Sequence, residues 1–260
     1  MSVAGAPVAS RARQATSFGA TYPTAPAWAD SARPVLIWLS LIGYVVFAKL
    51  VLDTFLPHAF TLPGQAFSWQ AILMSSAAGL AGIGFARATG FSPAWALRVG
   101  ASRQLVQPAL VGFGLASVMV VFDLATGTSH AINAVLGISQ QFTDVPSMLL
   151  IFSAAAIYVE PLYRLLLIPL PLWLISSVLL RGRYQSTAFW GLAVLASAFE
   201  PLMQVAGIAP VLGSTTAAAL AGQAFISNMA QAAYFRRYGF VASIAVREGY
   251  YLLWHVLYVH

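Results

Sequence analysis

Residues 146–180 read PSMLL IFSAAAIYVE PLYRLLLIPL PLWLISSVLL, and among these 35 residues only Glu160 and Arg164 carry a charge. A helix needs about 20 apolar residues to cross ~30 Å of hydrocarbon, so this stretch reads as membrane-embedded. It is too long for one straight crossing, because 35 residues at ~1.5 Å each reach ~50 Å. Pro161, Pro169 and Pro171 supply places to bend, since each lacks a backbone donor and crowds the preceding turn. The expectation is a single kinked helix whose end runs along the cytoplasmic interface.

Six further apolar runs surround it. They span about Pro34 to Leu56, Trp69 to Ala86, Leu105 to Leu124, Thr187 to Val205, Gly213 to Phe235 and Phe240 to Tyr258. Over the whole chain 60% of residues are apolar and 8% are charged. A soluble domain carries roughly 25% charged residues, so a water-facing surface is excluded, as are disorder and nucleic-acid binding. The chain has no cysteine, which removes thiol catalysis, zinc–thiolate sites and disulfides. The fold class is therefore an all-α polytopic membrane protein with about seven transmembrane helices. Residues 1–33 form the one long polar stretch and read as a flexible cytoplasmic tail without the apolar core of a signal peptide, with an interfacial segment around Trp28. Residues 34–260 form the bundle. Most tryptophans flank the spans as an aromatic belt, and small residues such as Gly79, Gly82, Gly84, Gly112 and Gly114 suit close helix packing.

The arginines orient the bundle. Arg11, Arg13 and Arg33 precede the first run, and Arg87, Arg98 and Arg103 lie between the second and third. Arg181 and Arg183 follow the long block, while Arg236 and Arg237 separate the last two runs. If the long block crosses once, all ten fall on one side, and the opposite segments 57–68, 125–145 and 206–212 contain no Lys or Arg. Positive residues stay inside, so the N-terminus is expected in the cytoplasm and the C-terminus outside. The net charge of +6 is then a property of one membrane face.

Several charges fall within or near the apolar runs, where each costs at least ~2.5 kcal/mol near the bilayer centre unless paired or hydrated. Lys49 and Asp53, four apart near a helix end, read as a structural pair, and Asp123 as a helix-end residue. Glu160 and Arg164 are also four apart, which places both on one helix face with the acid on the favoured N-terminal side. Tyr158 and Tyr163 lie beside them. Glu200 sits ~20 Å into the fifth run and Arg247 ~10 Å into the last. Two carboxylates and two guanidiniums are thus expected to meet at mid-depth, either as a structural polar cluster or as a binding or catalytic site. His58, His130, His255 and His260 are expected outside this cluster, with His255 at the interface, so neither a metal nor another cofactor is expected.

At these residues the chain resembles the CPBP family, the CAAX-prenyl and bacteriocin-processing membrane proteases. The family pattern is Glu-Glu-x-x-x-Arg, then Phe-x-x-x-His, then His-x-x-x-Asn or Asp. Val159-Glu160-x-x-x-Arg164 is similar to the first motif apart from its leading position. Ala196 and Glu200 fall at the second, Arg247 and Tyr251 at the third, and Tyr234-Phe235-Arg236-Arg237-Tyr238-Gly239 resembles the basic turn before it. The resemblance covers roughly residues 105–260. It implies a CPBP-like bundle in a bacterial inner (plasma) membrane, acting on or binding peptide or lipidated-peptide segments, with Glu160, Arg164, Glu200 and Arg247 as site residues. It also implies a glutamate that activates water, oriented by histidines. Here Val159, Glu200 and Arg247 stand where the family has Glu, His and His. Arginine donates to an oxyanion but does not act as a base.

Three functions follow. The chain is an intramembrane peptidase using Glu160 or Glu200 as base; or it is a pseudoprotease that holds a peptide, lipid or partner helix; or it is a structural subunit of a membrane complex. Transport is disfavoured, because no matching pair of interrupted helices is visible.

Overall fold

The structure, a computed structural model, describes residues 27–55, 68–91, 94–95, 99–131 and 145–258, and gives only the backbone of residues 27–31 and 208. The expectations for the tail 1–26 with Arg11 and Arg13, the Trp28 side chain, His58, Arg98, His260 and segments 57–67 and 132–144 lie outside these residues. The described residues contain helices and turns and no strand.

The first helix, α1, runs from Ala27 to Phe55 and so begins ahead of Pro34. It is followed by α2 (Trp69–Ala88) and α3 (Ser102–Thr126). The long block forms α4 (Val145–Leu179), then come α5 (Gln185–Leu212), α6 (Ser214–Tyr238) and α7 (Phe240–Tyr251). A π-helical turn, Leu252–Tyr258, continues α7. The first five are long and apolar enough to cross a membrane. Leu73, Leu110, Val118, Leu195 and Met203 lie exposed, while Glu160, Arg164, Asn228 and Gln231 are buried. An apolar exterior over an interior that includes buried charged and amide side chains suits hydrocarbon as the surrounding solvent.

Helix type changes in α4 at the prolines. The α-helical part ends at Glu160, and Pro161–Leu166 continue as a wider π-helical turn. Pro169 and Pro171 interrupt the ladder again before a second π-helical stretch, Trp173–Leu179. From α2, the Ser75 hydroxyl donates to the Tyr158 carbonyl at 2.7 Å, in the turn before Pro161. A hydroxyl from a neighbouring helix is one way a carbonyl near a proline break stays satisfied in lipid.

Packing uses small residues where backbones meet. Gly82 lies against the Leu165 carbonyl, Gly112 against that of Val246 and Gly249 against that of Ala109, each too close for a Cβ. Helices α3 and α7 therefore touch backbone to backbone. Trp38, fully buried, presses its indole onto Gly79, meets Phe240 edge-on at 5.8 Å and donates to the Ser76 carbonyl at 3.1 Å.

One end of the bundle gathers the arginines. Gly239 turns α6 into α7 with φ +94°, and Val241 N donates to the Ala94 carbonyl at 3.3 Å. Gln185, at the start of α5, donates to the Thr89 carbonyl at the end of α2. Arg236 reaches Ser186 at 2.9 Å and lies 4.8 Å over Phe189. Arg87, Arg183, Arg236 and Arg237 thus share one end. Away from it, Lys49 pairs with Asp53 at 2.5 Å and sits 5.7 Å over the Trp69 ring. Asp123 is buried at the end of α3, where it accepts from Ser129 N at 2.6 Å and from the Tyr258 hydroxyl at 2.9 Å.

Candidate functional site, a four-charge cluster beside a cavity

Glu160 ends the α-helical part of α4, and Arg164 lies one turn on, inside the π-helical turn. Both are fully buried. Arg164 Nε stands 3.8 Å from Glu160 Oε1, an ion pair without a hydrogen bond. The guanidinium reaches instead toward α6. Its Nη2 donates to the Asn228 carbonyl at 3.1 Å, to Asn228 Oδ1 at 2.9 Å and to Gln231 Oε1 at 3.4 Å.

Arg247, from α7, joins the remaining acids. Its Nη1 and Nη2 each lie 3.1 Å from one oxygen of Glu200, a two-bond fork between α7 and α5. Its Nε donates to Gln231 Oε1 at 3.2 Å and stands 3.5 Å from Glu160 Oε2. Nη1 also donates to the Tyr251 hydroxyl at 3.2 Å, one turn along α7. Glu160 Oε1 accepts from the Ser243 hydroxyl, again from α7. The four residues singled out in the sequence thus form one buried network with two positive and two negative charges. Removing one member of such a pair costs ~3–5 kcal/mol, because the other charge is stranded.

A cavity of about 410 Å³ lies beside this network. Glu200 and Arg247 line it, but Glu160 and Arg164 do not. One wall carries Gln223, Ser227, Asn228 and Gln231 of α6. The other carries Phe152, Tyr250, Tyr251, Trp254 and His255. Gln204 and His255 lie ~28 and ~22 Å along their helices from the arginine end, so the cavity extends toward the opposite end.

Sequence reasoning missed much of this wall. His255 lies outside the four-charge network but lines the cavity, stacked on Phe152 at 4.2 Å and edge-on to Tyr251 at 4.9 Å. The hydroxyl that reaches Glu160 comes from Ser243, not singled out in the sequence, whereas Tyr251, which accepts from Arg247, stands at the motif position already named with it, both on α7. Asn228 and Gln231 bind both arginines, and Gln223, Ser227 and Gln231 recur every four residues on α6. A polar stripe at helical spacing within the Gly213 to Phe235 run was the available signal. Among the described residues no group of three His, Cys, Asp or Glu is placed to hold a metal ion. Chemically, the site offers hydrogen bonds and a neutralised ion pair. No family model, curated protein or solved structure matches this chain.

Proposed function

We propose that this chain is a membrane pseudoprotease of CPBP type, which holds a peptide or lipidated-peptide segment in the cavity beside its Glu/Arg cluster without cleaving it. It crosses the membrane seven times, with the N-terminus in the cytoplasm. The observation that carries the reading is the Arg247 fork. Both oxygens of Glu200, the carboxylate on the cavity wall, already face a guanidinium at 3.1 Å. A general base must accept a proton from a positioned water, and here that requires breaking or sharing the fork. Two further facts support the topology. Arg87, Arg183, Arg236 and Arg237 gather at one end, and α6, with 25 residues, is ~37 Å long and packs along α5.

A second reading, an intramembrane peptidase, draws on the position of Glu200 itself, a carboxylate inside a cavity large enough for a ligand. One experiment separates the two. The full chain in lipid nanodiscs is incubated with prenylated and unmodified apolar peptides that carry a photo-crosslinker. Products are then read by mass spectrometry. Holding predicts crosslinks to α6 and α7 and intact peptides. Cleavage that disappears in Glu200→Gln would establish the peptidase instead.

A further inference from the structure

We infer that the cavity recognises the carbonyl oxygens of its ligand, with Gln231, Ser227 and Tyr251 as the donors that read them. This rests on the peptide-holding reading above and names what that site selects. The argument begins with the arginines, whose nitrogens only donate. Arg164 Nη2 at 3.4 Å and Arg247 Nε at 3.2 Å both point at one atom of Gln231, which must therefore be its oxygen. The amide orientation follows from that chemistry, and the NH2 group faces the other way. Gln231 is 3% exposed and lines the cavity, yet its NH2 donates to no group among the described residues.

The same reasoning applies to its neighbours. The Tyr251 oxygen accepts from Arg247 at 3.2 Å, so its own proton points elsewhere. Gln223 Nε2 donates to the Leu115 carbonyl at 3.3 Å, which identifies it as the NH2 end of that amide. It also donates to Ser227 Oγ at 3.2 Å, leaving the serine proton to be given away. Three donors in the cavity wall thus retain a proton. Glu200, the wall's carboxylate, is occupied by Arg247, and the cluster carries no net charge. Such a wall accepts oxygen atoms without demanding a charged ligand.

Spacing favours an extended peptide as the source. Ser227 and Gln231 are one helical turn apart, a rise of ~6 Å. Two residues of an extended chain cover ~6.6–6.8 Å, and carbonyls two residues apart point to the same side. One edge of an extended peptide therefore meets both donors.

The test uses three uncharged, end-capped six-residue Leu/Ala probes and the full chain in nanodiscs of ether-linked lipid, which bring no ester carbonyls. The probes are the peptide, a depsipeptide with one central N–H replaced by an ester oxygen, and an alkene isostere that lacks the same carbonyl. Affinities come from displacement of a photo-crosslinkable copy. The depsipeptide should bind within about twofold of the peptide, and the alkene about tenfold more weakly. Gln231→Glu keeps an oxygen for both arginines and removes the donor. It adds one buried negative charge, so it should lower the thermal midpoint, and it should weaken peptide binding about tenfold. Tyr251→Phe and Ser227→Ala remove one donor and no charge, and each should weaken binding about three- to tenfold. A depsipeptide as weak as the alkene, or peptide binding that all three variants leave intact, overturns the inference and leaves the peptide-holding reading standing. No binding by any probe overturns both.

Discussion

Arg247 grips Glu200 with both terminal nitrogens at 3.1 Å while its Nε stands 3.5 Å from Glu160. One side chain of α7 thereby ties α5 to α4, and the aromatic and amide walls of the cavity are set by the same tie. Glu160 and Glu200 come from different helices, and Arg247 pairs with both, while Arg164 supplies the second positive charge.

Breaking that tie from one side should be costly. Arg247→Ala leaves the buried Glu200 without its cationic partner and should lower stability by ~3–5 kcal/mol, read as a lower unfolding midpoint in detergent. Arg247→Met combined with Glu200→Leu removes both charges of the fork and should recover part of the loss. A double variant no more stable than Arg247→Ala would mean that the fork is not what couples the two positions.

Glycines of similar sequence context should differ sharply. Gly82 and Gly112 lie against the carbonyls of Leu165 and Val246, whereas Gly84 and Gly114 have open space where a Cβ would stand. Gly112→Ala and Gly82→Ala should each cost ~1–3 kcal/mol or more through backbone displacement. Gly84→Ala and Gly114→Ala should be neutral or slightly stabilising. Thermal midpoints of the four variants decide it.

The proposed orientation is testable with reporters. Fusions at residues 95 and 182 should read cytoplasmic, and those at 62, 135 and 260 external, because positive residues are retained inside. A cytoplasmic C-terminus would contradict seven crossings and point to a split of α4 into two.

Proteolysis separates holding from cutting. Purified protein should leave prenylated and unmodified peptides intact over hours, and Val159→Glu should at most create weak activity. Removal of a general base typically costs ~10²–10⁴ in rate, so true turnover by the native chain should collapse in Glu200→Gln. Turnover that survives this change would rule out Glu200 as the base.

Some of this architecture was legible along the chain. Apolar runs are a local property, so the five helices long and apolar enough to cross a membrane could be read from the chain, and α7 begins at Phe240 where its run does. Proline acts on its own turn, so an irregularity after Glu160, seen as the change from α- to π-helical geometry, could be read directly. Spacing by four put Glu160 and Arg164 on one face, and likewise Lys49 and Asp53. Which way a helix turns toward its neighbours is not local. Asn228, Gln231 and Ser243 are unremarkable polar residues until α6 and α7 rotate them onto the arginines. His255 reads as interfacial until Phe152, more than a hundred residues earlier, stacks on it. Gly112 and Gly114 cannot be told apart in sequence, because what forbids a side chain at Gly112 is the Val246 carbonyl across the helix crossing. Burial, register and partner choice arise from contacts between segments, and only the packed bundle determines them.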